Sequence, residues 1–273
     1  MLQYRMPHYI CVTCGTQFAA SVEPPPNCPI CADERQYIGW YGQVWTTLAQ
    51  LRLSHHNVIS TVDQHLTSIV TEPAFAIGQR ALLIHTPAGN CLWDCVSFID
   101  EATIAAVMAL GGIAVIAISH PHFYSSMIDW SRAFGDVPVF LHADDAACVM
   151  RPDRAIVSWQ GDKREILPGV TLVRCGGHFS GSTVLHWAAG AEERGALLTG
   201  DTITVVPDRR YVSFMRSYPN LIPLPAREVR RIVTTVEPFA YDRIYGGWPG
   251  RDILSDAKGA VARSAERYLK AIA

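Results

Sequence analysis

His120-Pro121-His122 follows an apolar run rich in Ile and Val, residues 113–119, and two imidazoles launched from the end of a buried strand are placed to hold a metal ion. Side chains two apart share one side of an extended chain, and the proline between them limits how the loop relaxes. Three further stretches extend the signal. Gly176-Gly177-His178-Phe179-Ser180-Gly181 sets a histidine in a flexible loop, Leu198-Thr199-Gly200-Asp201 ends a strand in an aspartate, and Ile244-Tyr245-Gly246-Gly247-Trp248 ends another in glycines. Zinc on three protein ligands with an open fourth position turns water into hydroxide near neutral pH.

A second constellation lies near the N-terminus. Cys11-Val12-Thr13-Cys14-Gly15 and Cys28-Pro29-Ile30-Cys31 are two CxxC knuckles separated by a loop containing Pro24-Pro25-Pro26. Each knuckle presents two thiolates to one tetrahedral ion, and the glycine after Cys14 favours the tight turn that aims backbone amides at sulfur. Disulfides are the competing reading, disfavoured in a chain that reads as intracellular. These forty or so residues resemble a zinc ribbon and also the rubredoxin-like module that holds one iron. Structural zinc is the expected occupant, because nothing else in the chain calls for electrons. Cys91, Cys95, Cys148 and Cys175 sit among apolar residues and read as core thiols.

The elements that must position these groups follow from hydrophobic patterning. Val44, Leu48 and Leu51 predict a linking helix over 43–53. Strands are predicted over 58–62, 68–71 and 81–85, then from Cys91 to a buried aspartate, Asp94. Beyond it, helix and strand alternate: a helix over 101–110, the strand into His120, a helix over 125–134 and a strand over 137–142. Further strands are expected over 169–175, 182–188 and 196–199, with a helix over 225–236. The order implies a layered mixed α/β architecture, divided into a small module, 1–42, and a main domain, 43–273.

The chain has 273 residues, 49% of them hydrophobic, enough to bury a large core. Lys and Arg total 23 against 25 Asp and Glu, a formal net charge of −2, so nothing invites nucleic acid or an anionic membrane. The uncharged run 102–119 raises the question of a membrane span. Gly111-Gly112 divides it into an Ala-rich helical half and a β-branched strand half, which fits a soluble fold. Residues 1–9 lack the apolar core of a secretory signal, so a cytoplasmic location is expected.

Taken in order, the main-domain motifs resemble the metallo-β-lactamase-fold hydrolases from about Val44 onward. Asp94 matches the family's structural aspartate, His120 and His122 the first two histidines of HxHxDH, His178 the histidine of the GHTPG-like loop, and Asp201 the bridging aspartate. The resemblance implies a four-layer αββα fold. Tyr124 and Ser125 stand where that signature has Asp and His, and Trp248 where the last loop has its final histidine. A single zinc or other divalent ion on His120, His122 and His178 with Asp201 is therefore expected in place of two.

The implied activity is hydrolysis of a small ester, thioester, lactone or amide, with Asp201 orienting water and Tyr124 donating to a developing oxyanion or simply filling vacated space. The alternative is a silent descendant of the fold whose ribbon recruits a partner. A nuclease is not expected, since the stretch after Asp201 is short for that branch's inserted domain. The diiron branch fits poorly because Pro121 replaces its glutamate, and β-lactam cleavage because no export signal is evident. Arg227, Arg230 and Arg231 read as a solvated helix face, Arg209-Arg210 as a weak anion contact. The ribbon is expected to brace the main domain or pair two chains as a homodimer.

Overall fold

The apolar run before His120 folds as the strand Val115–Ala117, buried on both faces as a central parallel strand must be. A computed structural model describes residues 6–273; residues 1–5, part of the segment read for an export signal, lie outside the described residues. Val115–Ala117 pairs in parallel with Cys91–Trp93 on one side and Val139–His142 on the other. Ile156–Trp159 extends that edge in parallel, while Arg80–Ile84, Leu66–Glu72 and His56–Asp63 continue antiparallel from Cys91–Trp93. Two crossover helices serve the parallel strands. Glu101–Ala109 starts where the Asp100 carboxylate accepts the Thr103 N–H, and Met127–Ala133 follows the histidine turn.

A second sheet runs Lys163–Leu167, Val170–Arg174, Thr183–Trp187, Ala196–Leu198, Arg243–Tyr245 and Asp252–Ile253. The two sheets pack face to face through Leu82, Trp93 and Trp159 of the first and Leu172, Leu185 and Trp187 of the second. Outside the first sheet, Val107 and Trp130 of the crossover helices cover Ile69, Leu92 and Ile116. Outside the second, helices Ala226–Val236 and Ala257–Ala271 place Ile232 and Val261 against Val184 and Leu197. The result is the expected αββα sandwich. Its site lies at the carboxyl ends of parallel strands in both sheets.

The N-terminal module is a three-stranded sheet, Gln17–Ala20, His8–Cys11 and Trp45–Thr47, with the short helix Pro29–Ala32 carrying the second knuckle. The linking helix expected over 43–53 is reduced to one turn, Leu48–Leu51. Trp45, Thr46 and Thr47 are aromatic and β-branched, and they pair with Cys11, Ile10 and Tyr9 instead. The module's sheet thus runs past the expected boundary at 42. Lys163–Leu167 escaped the sequence reading because this edge strand exposes Lys163, Arg164 and Glu165 in succession. The C-terminal helix was likewise not anticipated. Among the described residues no helix is long and apolar enough to cross a membrane.

Candidate metal centre

In the ribbon, the Cys11 and Cys31 sulfurs lie 3.5 Å apart and those of Cys14 and Cys28 3.7 Å apart, all buried. A tetrahedron with metal–sulfur bonds of about 2.3 Å has edges of about 3.8 Å, so the four thiolates fit one ion. The Gly15 N–H donates to the Cys11 carbonyl at 2.8 Å, closing the knuckle, and the Gln43 side-chain amide donates to the Cys11 sulfur at 3.1 Å.

The main-domain histidines converge by a different route from the extended loop expected of them. Pro121–Phe123 is a single 3-10 turn, entered from an extended His120, and it swings His122 toward His178. The ligand atoms of His120, His122, His178 and Asp201 all lie within 4.8 Å of one another, and all four residues are buried. Asp201 Oδ2 sits 3.2 Å from His120 Nε2, 3.8 Å from His122 Nδ1 and 3.6 Å from His178 Nε2. His178 Nδ1 donates to the Met215 carbonyl at 3.1 Å, which leaves Nε2 as the lone-pair nitrogen facing the cluster. Ser119 Oγ lies 2.9 Å from His120 Nδ1 and can fix that ring in the same way.

Two observations show that this set fits a divalent cation. His120 Nε2 and Asp201 Oδ1 are buried with no hydrogen-bond partner, a costly arrangement unless an ion or substrate satisfies them. The protonation states agree. Burial, opposed by Asp201, pushes the His120 pKa down to about 4, and burial with the neighbouring His120 lowers that of His178 well below its ordinary value. Burial opposes ionisation of Asp201, but the His120 and His122 imidazoles beside it outweigh burial and hold the carboxyl well below the usual range. Neutral His120 and His178 beside an ionised Asp201 are the state in which a metal is bound.

Two loops hold this geometry. Asp94, in the left-handed region at φ 61°, accepts the Ser119 N–H at 2.7 Å and so fixes the start of the histidine turn. Gly200, at φ 50°, lets the Asp201 loop lie against Ser119, where a Cβ would come within 2.6 Å of Ser119 Oγ. The Tyr218 hydroxyl donates to the Asp201 carbonyl at 3.0 Å. Tyr218 was missed in sequence, since a lone tyrosine in a polar loop carries no pattern.

The positions where the fold commonly carries further ligands are satisfied within the protein. Ser125 Oγ accepts from Gln79 and donates to the Cys95 carbonyl, and the Trp248 indole N–H donates to the Ile77 carbonyl at 2.8 Å. Tyr124 corrects an expectation. The turn at Pro121–Phe123 and the positive φ of Ser125 carry its ring into the apolar core, beside a narrow cleft with Thr16 and Arg151, away from the metal cluster. It fills space there and is not placed to donate to a substrate. Arg210 pairs with Asp208, and Arg231 donates to the Cys175 carbonyl beneath the His178 loop, so neither faces the cluster as an anion contact.

A cavity of about 130 Å³ opens onto the cluster, lined by His122, His178 and Asp201 together with Ile77, Tyr218 and Trp248. Arg35, Gln36 and Tyr37 of the ribbon complete it, a contribution that no motif in the ribbon foretells. A larger cleft of about 620 Å³ lies at the opposite end of the sandwich, beside His65, His85 and Trp187, and among the described residues no converging set of metal-ligating groups lines it.

No family model matches the chain. It is 49% identical over 269 residues to the uncharacterized protein YmaE of Bacillus subtilis (strain 168), spanning 98% of this chain and 97% of that one. Among solved structures it resembles VMB-1 with a TM-score of 0.59 at 12% identity, over 80% of this chain and 99% of the other. DIM-1 metallo-β-lactamase gives 0.58 at 11% identity, over 80% and 99%. TTHA1623, solved in a di-iron-bound form, gives 0.52 at 19% identity, over 72% and 97%. At such identities the likeness is one of fold. With its four-cysteine module preceding an αββα sandwich, the chain belongs to the family of YmaE and has the metallo-β-lactamase fold.

Proposed function

We propose that this protein is a metal-dependent hydrolase of a small ester, thioester, lactone or amide, working with one divalent ion, zinc, held by His120, His122 and His178 with Asp201. A second zinc in the Cys11, Cys14, Cys28 and Cys31 cluster is structural. The observation that carries the reading is the convergence of four buried donors, three of them lining a cavity, with His120 Nε2 and Asp201 Oδ1 left for a ligand from outside the chain.

An ion held by these residues would supply Lewis acidity, which would activate water for attack near neutral pH. The chain's own residues do the rest. Asp201 turns Oδ2 to the imidazoles and keeps Oδ1 free to orient water and accept its proton. Hydrolysis joins the water oxygen to the carbonyl carbon and breaks the bond to the leaving oxygen, sulfur or nitrogen, which takes up a proton as it departs. The Tyr218 hydroxyl holds the Asp201 loop, and Phe179, packed against the His120 and His122 rings, limits how those rings can turn. A reducing compartment, the cytoplasm, is part of the proposal, because the ribbon thiols must stay reduced to act as ligands.

The test is turnover on a panel of esters, thioesters and lactones. Activity should fall by at least about a hundredfold in His122→Ala and Asp201→Asn. No turnover by a fully metal-loaded parent would favour a silent member of the fold instead.

A further inference from the structure

Asp33 to Tyr37 leave the second cysteine knuckle directly and run to the metal cluster. Asp33 grips the Arg35 guanidinium with both carboxylate oxygens, each at 2.6 Å. Arg35 lies 3.8 Å over the Phe179 ring and donates to the His178 carbonyl at 3.3 Å. From the main domain, Ser217 Oγ donates to the Arg35 carbonyl at 3.1 Å, and the Asn220 amide donates to the Glu34 and Gln36 carbonyls at 2.9 and 2.8 Å. Arg216 pairs with Glu34 at 2.5 Å. Backbone carbonyls held in this way are fixed in place, so the segment forms a wall and not a passing strand.

That wall determines what the cavity can accept. With Gln36 and Tyr37, the side chains of Ile77, Tyr218 and Trp248 line a volume of about 130 Å³ whose surface is mostly apolar. The one cation on the wall, Arg35, is already matched by Asp33, so the wall itself offers no free charge to an anionic group. A concave, apolar space with a polar floor holds an uncharged apolar group against the reacting atoms.

We propose that the ribbon is part of the substrate site: Gln36 and Tyr37 form its outer wall and select substrates carrying an uncharged apolar group, aryl or branched alkyl, beside the scissile bond. The inference rests on the hydrolase reading of the same cavity, and its test separates the two.

Benzyl alcohol carries such a group without a hydrolysable bond. Saturation-transfer NMR on the full-length, metal-loaded protein should show it bound, with affinity at least about fivefold weaker in Tyr37→Ala. Tyr37 is 52% exposed, so its truncation leaves the core intact, and Val22→Ala, exposed on the same ribbon and outside the cavity, should bind as the parent does. The ratio of kcat/KM for benzyl acetate over ethyl acetate should fall by a similar factor in Tyr37→Ala, with metal content unchanged. Equal binding by parent and Tyr37→Ala, or no binding by the parent, overturns the wall. Binding of benzyl alcohol through Tyr37 in a protein that turns over no ester keeps the wall and removes the hydrolase reading.

Discussion

The Asp94 carboxylate accepts the backbone N–H of Ser119 at 2.7 Å, and Ser119 is the residue that hands the chain to His120. The aspartate therefore acts on the metal centre through the backbone. Burial, opposed by its hydrogen bonds with Ser119 and reinforced by the Asp201 charge, lifts its pKa to about 8. Asp94→Ala leaves a buried N–H without an acceptor, a loss of about 1–3 kcal/mol. Denaturant titration should show that loss, and metal analysis should show the histidine site weakened with the ribbon ion retained.

Gly200→Ala tests the neighbouring loop. Its Cβ would press on Ser119 Oγ and Ser119 Cβ, at 2.6 and 2.9 Å, from a backbone at φ 50°. Strain of about 1–3 kcal/mol is expected. Asp201 is the next residue, so relief of the clash displaces the carboxylate. Hydrolytic activity should fall together with stability, whereas a variant with parental activity and melting point would show that the loop does not position Asp201.

The buried histidines set a pH dependence. His120 titrates near 4 in the folded protein, chiefly through burial, against about 6.5 in an unfolded chain. Between these values the unfolded state binds a proton that the folded site refuses. Stability from this residue is therefore complete above pH 6.5 and lost as pH falls toward 4, about 3 kcal/mol in all at 1.36 kcal/mol per unit. His178 acts in the same direction. Chemical denaturation between pH 7 and 4.5 should fall more steeply for the parent than for His120→Asn, and metal release should follow the same window. Parallel curves would contradict the assignment.

Ribbon chemistry is open to a spectroscopic check. With zinc on the four thiolates the protein is colourless in the visible range. A red protein with thiolate-to-iron absorption would replace the structural zinc with an electron carrier.

Much of the centre was legible because its residues obey local rules. His120, His122 and Asp201 follow closely on strand ends and His178 sits in a glycine loop, and strands such as Leu66–Glu72 and Thr183–Trp187 bury apolar residues in short runs between turns. The cysteine knuckles needed only spacing. Arg35, Gln36 and Tyr37 were not legible, since their role depends on contacts with His178, Ser217 and Asn220, far along the chain. Tyr124 was misread for a related reason. Its motif position was right, but the turn after His120 decides which way the ring points. At Trp45–Thr47, pairing with the ribbon overrode the helical spacing of Val44, Leu48 and Leu51.

Metal content measured on purified protein tests the central claim most directly. Two ions per chain are expected in the parent, with His122→Ala retaining the ribbon ion and losing the other. Equal metal content in parent and variant, or a parent that holds only the ribbon ion, would contradict the histidine site.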